Sequence, residues 1–254
     1  MGERYQAPSV KKAFQILRLV ADSAQGVGIS ELARGLGISK GTVHGITAAL
    51  EDLGAIKRDS RTKRYSLGLT LFELGRLAYA QVDLKDLARP ILEELMEKTQ
   101  ESVFLGVLNG DHVTILDIVE SRHDLKITSP IGTILPIFAG STGKVFLAAI
   151  KEERARKIIA LKGLPKYTDH SITDPGLYME EIRRVRQEGH AIDDGEYIMG
   201  VRAVTCPIKT DHHLISAIWV VGFNASMDDD KMRVIVEETK GAAAEISKRL
   251  KAHG

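Results

Sequence analysis

Residues that most often announce chemistry are scarce in this sequence. A single cysteine, Cys206, among 254 residues leaves no internal disulfide and no cysteine-built zinc site. It lies in a strand-like run and reads as a small buried apolar side chain rather than a nucleophile. Aromatic residues make up 5% of the chain, with one tryptophan, Trp219. No apolar run approaches the roughly 20 residues needed to cross a bilayer. The opening MGERYQAPSVKKAFQILRLV lacks a signal peptide's apolar segment and cleavage site. A cytoplasmic protein without membrane contact is the expectation. No repeat at a fixed period and no low-complexity tract is present. Ser, His and Asp do not form a set at recognisable spacing, so no enzyme and no cofactor is expected. GSTGK is not a phosphate loop either, because that pattern needs Gly where Phe138 stands and Ser or Thr where Val145 stands.

The length predicts two domains, and the charge divides the same way. Met1–Thr70 carries eleven Lys and Arg against six Asp and Glu; the remainder carries twenty-four against twenty-eight. A basic first quarter suits a nucleic-acid partner. Within it, Leu32, Ala33 and Leu36 mark one face of a short helix that stops at Gly37. Val43, Ile46, Ala49, Leu50 and Leu53 mark a second that stops at Gly54. Two helices across a short turn make a helix-turn-helix. Ser39 is placed to N-cap the second helix, so Ser39, Lys40, Gly41, Thr42 and His44 would face DNA. AIKRDSRTKRYSLG then reads as two short strands around a turn crowded with Lys57, Arg58, Arg61, Lys63 and Arg64, the wing of a winged helix. Ahead of these, a helix from about Ser9 to Ala21 should bury Val10, Ala13, Phe14, Leu17 and Val20.

Residues 69–82 read as a linker helix with an apolar strip through Leu71, Leu74, Leu77 and Ala78, Phe72 beside it. From Asp83 a strongly amphipathic helix begins that Pro90 should kink or restart. A hairpin about Asn109-Gly110 follows, then a strand in LKITSPIG, three helices, a second hairpin around TDHH, and a closing helix from about Asp228 to Lys251. The class is α+β: an antiparallel sheet flanked by helices. Three stretches in this part offer candidate site residues. Pro130–Lys144 places Ser141 and Thr142 at a helix start, where free N–H groups favour a carboxylate. Asp193, Asp194 and Glu196 form an acidic loop that acid/base chemistry, a cation or plain solvation would each explain. The last hairpin carries Val201, Ala203, Thr205 and Trp219, the last read either as core or as a pocket wall. His212 and His213, adjacent in a turn, point apart and read as a solvated loop rather than a zinc site.

The segment SELARGLGISKGTVHGITAALEDLGAIKRDSRTKRYSLG resembles the DNA-binding domain of the IclR family of bacterial transcription regulators, and the order of elements after it resembles that family's GAF-like effector domain. The resemblance implies a winged helix-turn-helix over residues 1–68, a linker helix over 69–82, and an effector-binding and oligomerisation domain over 83–254. It implies double-stranded operator DNA, a small carboxylate effector, and a homodimer or dimer of dimers joined through the linker. The expected DNA contacts are Ser39, Lys40, Gly41, Thr42, His44, Arg58, Arg61, Lys63 and Arg64. The expected effector contacts are Ser129, Ile134, Leu135, Ser141, Thr142, Asp193, Val201, Ala203, Trp219 and Val221. Two departures stand out. Gly45 occupies a place where members often carry arginine, and Ala203, Trp219 and Val221 replace small polar residues, which favours an apolar or aromatic acid. The competing functions are a DNA-tethered enzyme using Asp193 and Glu196, and an architectural DNA-binding protein with no effector.

Overall fold

Apolar spacing of period 3.6 fills the first quarter of the chain, and period-two spacing interrupted by helices fills the rest. The computed structural model describes residues 7–80, 83–209 and 214–253, which fall into two compact units, Met1–Val82 and Asp83–Gly254.

The first unit runs α1 (Pro8–Ala21), α2 (Ile29–Leu36), α3 (Lys40–Asp52), β1 (Ile56–Arg58), β2 (Tyr65–Leu67) and α4 (Leu69–Ala80). Ile16, Val20, Leu32, Val43, Leu50, Ile56 and Tyr65 make its core. The inner face of α1 differs from the expected one. Val10 and Phe14 are exposed, and Ile16 is buried. Phe14 lies two residues from Ile16, roughly the far side of a helix, so the Ala13, Ile16, Leu17 and Val20 stripe excludes it. On α3, Ala49 and Leu53 face solvent, while Thr47 is buried with its hydroxyl donating to the Val43 carbonyl at 2.9 Å. That local bond removes the cost of burying a hydroxyl and lets Thr47 take an apolar position.

The second unit contains α5 (Asp83–Thr99), β3 (Ser102–Asn109), β4 (His112–Val119), β5 (Ile134–Pro136), α6 (Gly140–Ala149), α7 (Glu152–Lys162), α8 (Pro175–Glu188), β6 (Ala191–Asp194), β7 (Val201–Ile208), β8 (Ser216–Phe223) and α9 (Asp229–His253). The strands form one antiparallel sheet in the order β5-β4-β3-β8-β7-β6. Helices α5 and α9 cover one face, and α6 and α8 pack over the other. Pro90 sits inside α5 without ending it, because Ala88, Ile91, Leu92, Leu95 and Met96 are held in the core on both sides of it. Packing outweighs the missing backbone donor.

Two strands fall elsewhere than expected. Residues 125–131 form no strand, although the Gly132 N–H donates to the Ile115 carbonyl at 2.8 Å; the edge strand is the three-residue β5, which joins β4 through Val113↔Leu135. The acidic loop is in part a strand: Asp193 belongs to β6 and is buried.

Candidate DNA-contacting surface and buried polar pocket

Turn chemistry sets the geometry of the first unit's surface. Helix α2 ends on Gly37 at φ 64°, and Ser39 caps α3 by accepting from the Thr42 N–H at 3.1 Å. Such a cap stabilises a helix by about 1 kcal/mol. Ser39 Oγ also lies 2.9 Å from Thr42 Oγ1, so the cap restrains both side chains. Lys40, Gly41, Thr42, His44 and Gly45 are all exposed, and nothing lies within 4 Å of where a Gly45 Cβ would stand. The start of α3 is therefore a shallow, open surface with a cation at its edge.

The wing owes its shape to an acid. Asp59 Oδ1 accepts from the Arg61 N–H at 3.0 Å, the Thr62 N–H at 2.6 Å and the Thr62 hydroxyl at 2.9 Å. The Thr62 N–H bond, with these others, holds the Asp59 carboxyl below the usual carboxylate range. Thus the one acid among the wing's basic residues is occupied in shaping the turn. Arg61 and Lys63 project from that turn, and Arg58 lies 5.8 Å over the Tyr65 ring. Arg64 behaves differently from its neighbours: its Nε donates to the Gly26 carbonyl at 3.0 Å and its guanidinium pairs with Glu31 at 2.8 Å. It ties the wing to the start of α2, whereas Lys57, Arg58, Arg61 and Lys63 remain the outward charges. At the wing's base, a Cβ on Gly68 would stand 2.0 Å from the Gly54 carbonyl oxygen, and Gly54 itself has φ 68°. Two glycines in contact let the end of α3 and the start of α4 share one point.

In the second unit, strand register gathers residues far apart in sequence. Asp193, Ala203 and Val221 form one row across β6, β7 and β8; Ala191, Thr205 and Trp219 form the next. Helix α6 lies over these rows. Ser141 Oγ meets Thr205 Oγ1 at 2.8 Å, and Gly140, at φ 43°, approaches Asp193 so closely that a Cβ would stand 1.7 Å from Oδ2. An anionic carboxylate thus rests at a helix N-terminus that no side chain of its own caps. Lys144, fully buried, donates to Glu196 Oε1 at 2.5 Å and the Ile192 carbonyl at 3.1 Å, with Glu181 Oε2 at 3.5 Å. Asp193 accepts from the Glu196 N–H at 2.6 Å. Burial nevertheless pushes its carboxyl up to about 6, opposed by that hydrogen bond, aided by the Glu196 charge and opposed again by Lys144.

A loop closes over this cluster. The Thr168 hydroxyl donates to the Gly195 carbonyl at 2.6 Å, the Ser171 hydroxyl to the Glu196 carbonyl at 2.8 Å, and Tyr167 packs edge-on to Tyr197. Beneath it an inner cavity of about 10 Å³ touches Phe138, Gly140, Tyr178 and Glu196. An outer cavity of about 520 Å³, open to solvent, touches Asp111, His112, Ile137 and Lys162. Phe138, Leu164 and Pro165 line both and form the wall between them.

Ser141, Thr142, Asp193, Val201, Ala203, Trp219 and Val221 are all buried in this unit, yet none lines either cavity. Trp219 stacks on Phe104 at 5.4 Å between centroids, and a Cβ on Gly106 would stand 2.7 Å from its ring. It fills the space over Gly106. Ile134 and Leu135 point to opposite sides of β5: Leu135 packs toward the core, Ile134 is exposed, and Ser129 is half-buried before the strand. Lys144, Phe138 and Tyr178 were not expected. Lys144 was visible only as part of a failed phosphate-loop pattern, and Tyr178 sits on α8 in an ordinary amphipathic repeat. Among the described residues no group of three or more His, Cys, Asp or Glu side chains could hold a metal; His212 and His213 lie outside them. No described helix is long and apolar enough to cross a membrane.

Comparison with known families resolves the class. The model of the IclR helix-turn-helix domain matches residues 9–60, and that of the bacterial transcriptional regulator IclR C-terminal region matches residues 77–248. The chain belongs to the IclR family. The HTH-type transcriptional regulator BhcR of Paracoccus denitrificans is 31% identical over 240 residues, covering 94% of this chain and 86% of its own. The transcriptional repressor IclR of Escherichia coli is 29% identical over 245 residues, covering 95% and 89%. Among solved structures, the IclR transcriptional regulator from Alicyclobacillus acidocaldarius superposes with a TM-score of 0.80 at 28% identity, covering 96% of this chain and 99% of that one. The chain is thus a transcription regulator of the IclR family, with a helix-turn-helix DNA-binding domain and an α+β C-terminal domain. These relatives are regulators and repressors, not enzymes.

Proposed function

We propose that this IclR-family regulator contacts operator DNA through Lys40, Thr42 and His44 of α3 and Arg58, Arg61 and Lys63 of the wing. Its second unit binds a small organic acid with an apolar or aromatic body, and a homodimer converts that binding into altered DNA affinity or geometry. The observation that carries the effector reading is the buried polar cluster of Asp193, Lys144, Glu196 and the α6 N-terminus, closed by a loop and walled by Phe138, Leu164 and Tyr178. The aromatic walls of Phe138 and Tyr178 beside this cluster suit the body of an amphipathic acid, while the α6 start itself is already taken by the Asp193 carboxylate. Ligand regulates only if it binds the DNA-competent and incompetent states unequally.

Two copies are supported by what the first unit leaves uncovered. Val10 and Phe14 on α1, and Leu69, Phe72 and Leu74 on α4, are all more than half exposed. Single exposed apolar residues need no explanation, but two helices that each carry several such residues suit a second subunit. The enzyme reading loses its acids to structure, since Glu196 pairs with Lys144 and Asp193 holds the following turn.

An IclR homologue from Microbacterium hydrocarbonoxydans, 21% identical with a TM-score of 0.77, was crystallised with 4-hydroxybenzoate, which makes aromatic acids sensible first probes. The test is thermal shift with aromatic and aliphatic carboxylates, followed by operator binding with and without each stabilising compound. Stabilisation together with a changed operator affinity is expected. A panel with no stabilising member would leave the chain an effector-independent DNA-binding protein.

A further inference from the structure

The second unit buries nearly all of its polar side-chain atoms with partners. Among the described residues only two buried side-chain atoms have none, the Tyr178 hydroxyl and the Ser216 hydroxyl. The two differ in surroundings. Ser216 sits on β8 between Val107 and Ile208 and lines neither cavity. Tyr178 lines the inner cavity with Gly140 and Glu196, its ring held edge-on against Phe138 at 5.9 Å between centroids. A buried hydroxyl without a partner destabilises the protein that keeps it. At Tyr178 the ring alone would satisfy the packing, so the hydroxyl calls for a partner that the chain does not supply.

We infer that the Tyr178 hydroxyl is a direct contact for the effector, and that it meets an uncharged oxygen of that ligand, a hydroxyl or a carbonyl, rather than its carboxylate. The inference rests on the effector reading above and names the chemistry of the ligand's inner end. Charge decides which end enters. Around the inner cavity stand Glu196, lining it, and Asp193, against Gly140, with Glu181 sharing the same lysine; against these three acids stand buried Lys144 and, on Glu181, Arg184, which leaves one acid in excess. A further carboxylate brought to Tyr178 would add to that excess of negative charge, whereas a hydroxyl or carbonyl oxygen can accept from the phenol without that cost. The outer cavity carries no such excess: at its rim Lys162 pairs with Asp111 at 2.5 Å. Phe138, Leu164 and Pro165, shared by both cavities, have to give way to join them. The ligand class is therefore an acid whose carboxylate stays outward and whose far end carries a neutral oxygen. Among aromatic acids, a ring hydroxyl opposite the carboxylate has that form.

Full-length parent, Tyr178→Phe and Ser216→Ala proteins would be titrated with benzoate, 4-hydroxybenzoate and 4-hydroxyphenylacetate by calorimetry and thermal shift. Both substitutions remove an unpartnered hydroxyl, so both should raise Tm without ligand by about 2 to 4 °C. Only Tyr178→Phe should weaken the hydroxylated acids, about tenfold, while Ser216→Ala binds them as the parent does. Benzoate should bind the parent more weakly than 4-hydroxybenzoate and should not distinguish the parent from Tyr178→Phe. Equal affinity of parent and Tyr178→Phe for the hydroxylated acids overturns this inference and leaves the effector site standing. Binding of none of the three acids by the parent overturns it too, and the wider carboxylate panel then decides the effector reading separately.

Discussion

The two units solve opposite problems with polar residues. In the first, the side chains proposed to meet DNA stand in solvent, and the acid near them, Asp59, is consumed by the turn it shapes. In the second, the proposed site is buried, and almost every polar group there is committed: Lys144 to Glu196, Asp193 to the Glu196 N–H, Ser141 to Thr205. An open cationic surface matches a polyanion whose contacts are many and individually weak. A closed, internally paired pocket has to be opened by its ligand, which is what makes binding there capable of shifting a conformational equilibrium.

The sharpest way to break the comparison is Gly140→Ala. With φ 43° and a Cβ placed 1.7 Å from Asp193 Oδ2, it should cost the second unit about 3 kcal/mol or more. Separate melting of the two units would show the loss confined to one, and retained affinity of the first unit for nonspecific DNA would confirm the division. Asp193→Asn comes next, with a sign set by pH. Asp193 rises from 3.8 to about 6 on folding, so its carboxyl favours the folded state fully below about pH 3.8 and loses that advantage as pH rises through about 6. At pH 8 the buried charge is a liability of up to about 3 kcal/mol, which Asn removes. The variant should therefore melt higher than the parent at pH 8, with the gap closing between about pH 6 and pH 4; a gap independent of pH would contradict the buried ionisation.

Two arginines of the wing sharpen the contrast within the first unit. Arg61→Ala should reduce the salt slope of operator binding by about one and leave the melting temperature unchanged. Arg64→Ala, which breaks a bond to the Gly26 carbonyl, should cost about 1 kcal/mol of stability, with any DNA effect following from the loosened wing. Chemical denaturation and fluorescence anisotropy at several salt concentrations separate the two. The smallest effect is Gly45→Ala, which should stabilise α3 by about 0.8 kcal/mol, since open space surrounds the position. A fall in operator affinity at the same time would show that the missing side chain matters for close approach to DNA.

Legibility in the sequence follows the same division. The helix-turn-helix could be read because its signals are local: Gly37 stops one helix, Ser39 caps the next, and basic residues cluster within a few positions. The faces of α1 and α3 were misjudged where one apolar stripe competed with another, as at Phe14 against Ile16. In the second unit, the order of hairpins and helices was legible, but the pocket was not. Asp193 is buried only because β6 pairs with β7, and Tyr178 reaches the cavity only because α8 packs on α6; neither fact has a signature in nearby residues. Trp219 was visible as an ambiguity, core or wall, and only Gly106 on the neighbouring strand, leaving room for its ring, explains how it packs.

The contact between Gly54 and Gly68 has a mechanical consequence. Gly68 donates its N–H to the Ala55 carbonyl at 2.9 Å, and the Gly54 carbonyl accepts from the Thr70 N–H at 3.4 Å, so the residues just after α3 and those at the start of α4 share hydrogen bonds as well as space. Such a joint has no play. A rotation of α4, were effector binding to impose one, would reach the residues that follow α3 through these contacts. A methyl at Gly68 would drive the Gly54 backbone away, so Gly68→Ala should lower both the melting temperature of the first unit and its affinity for DNA.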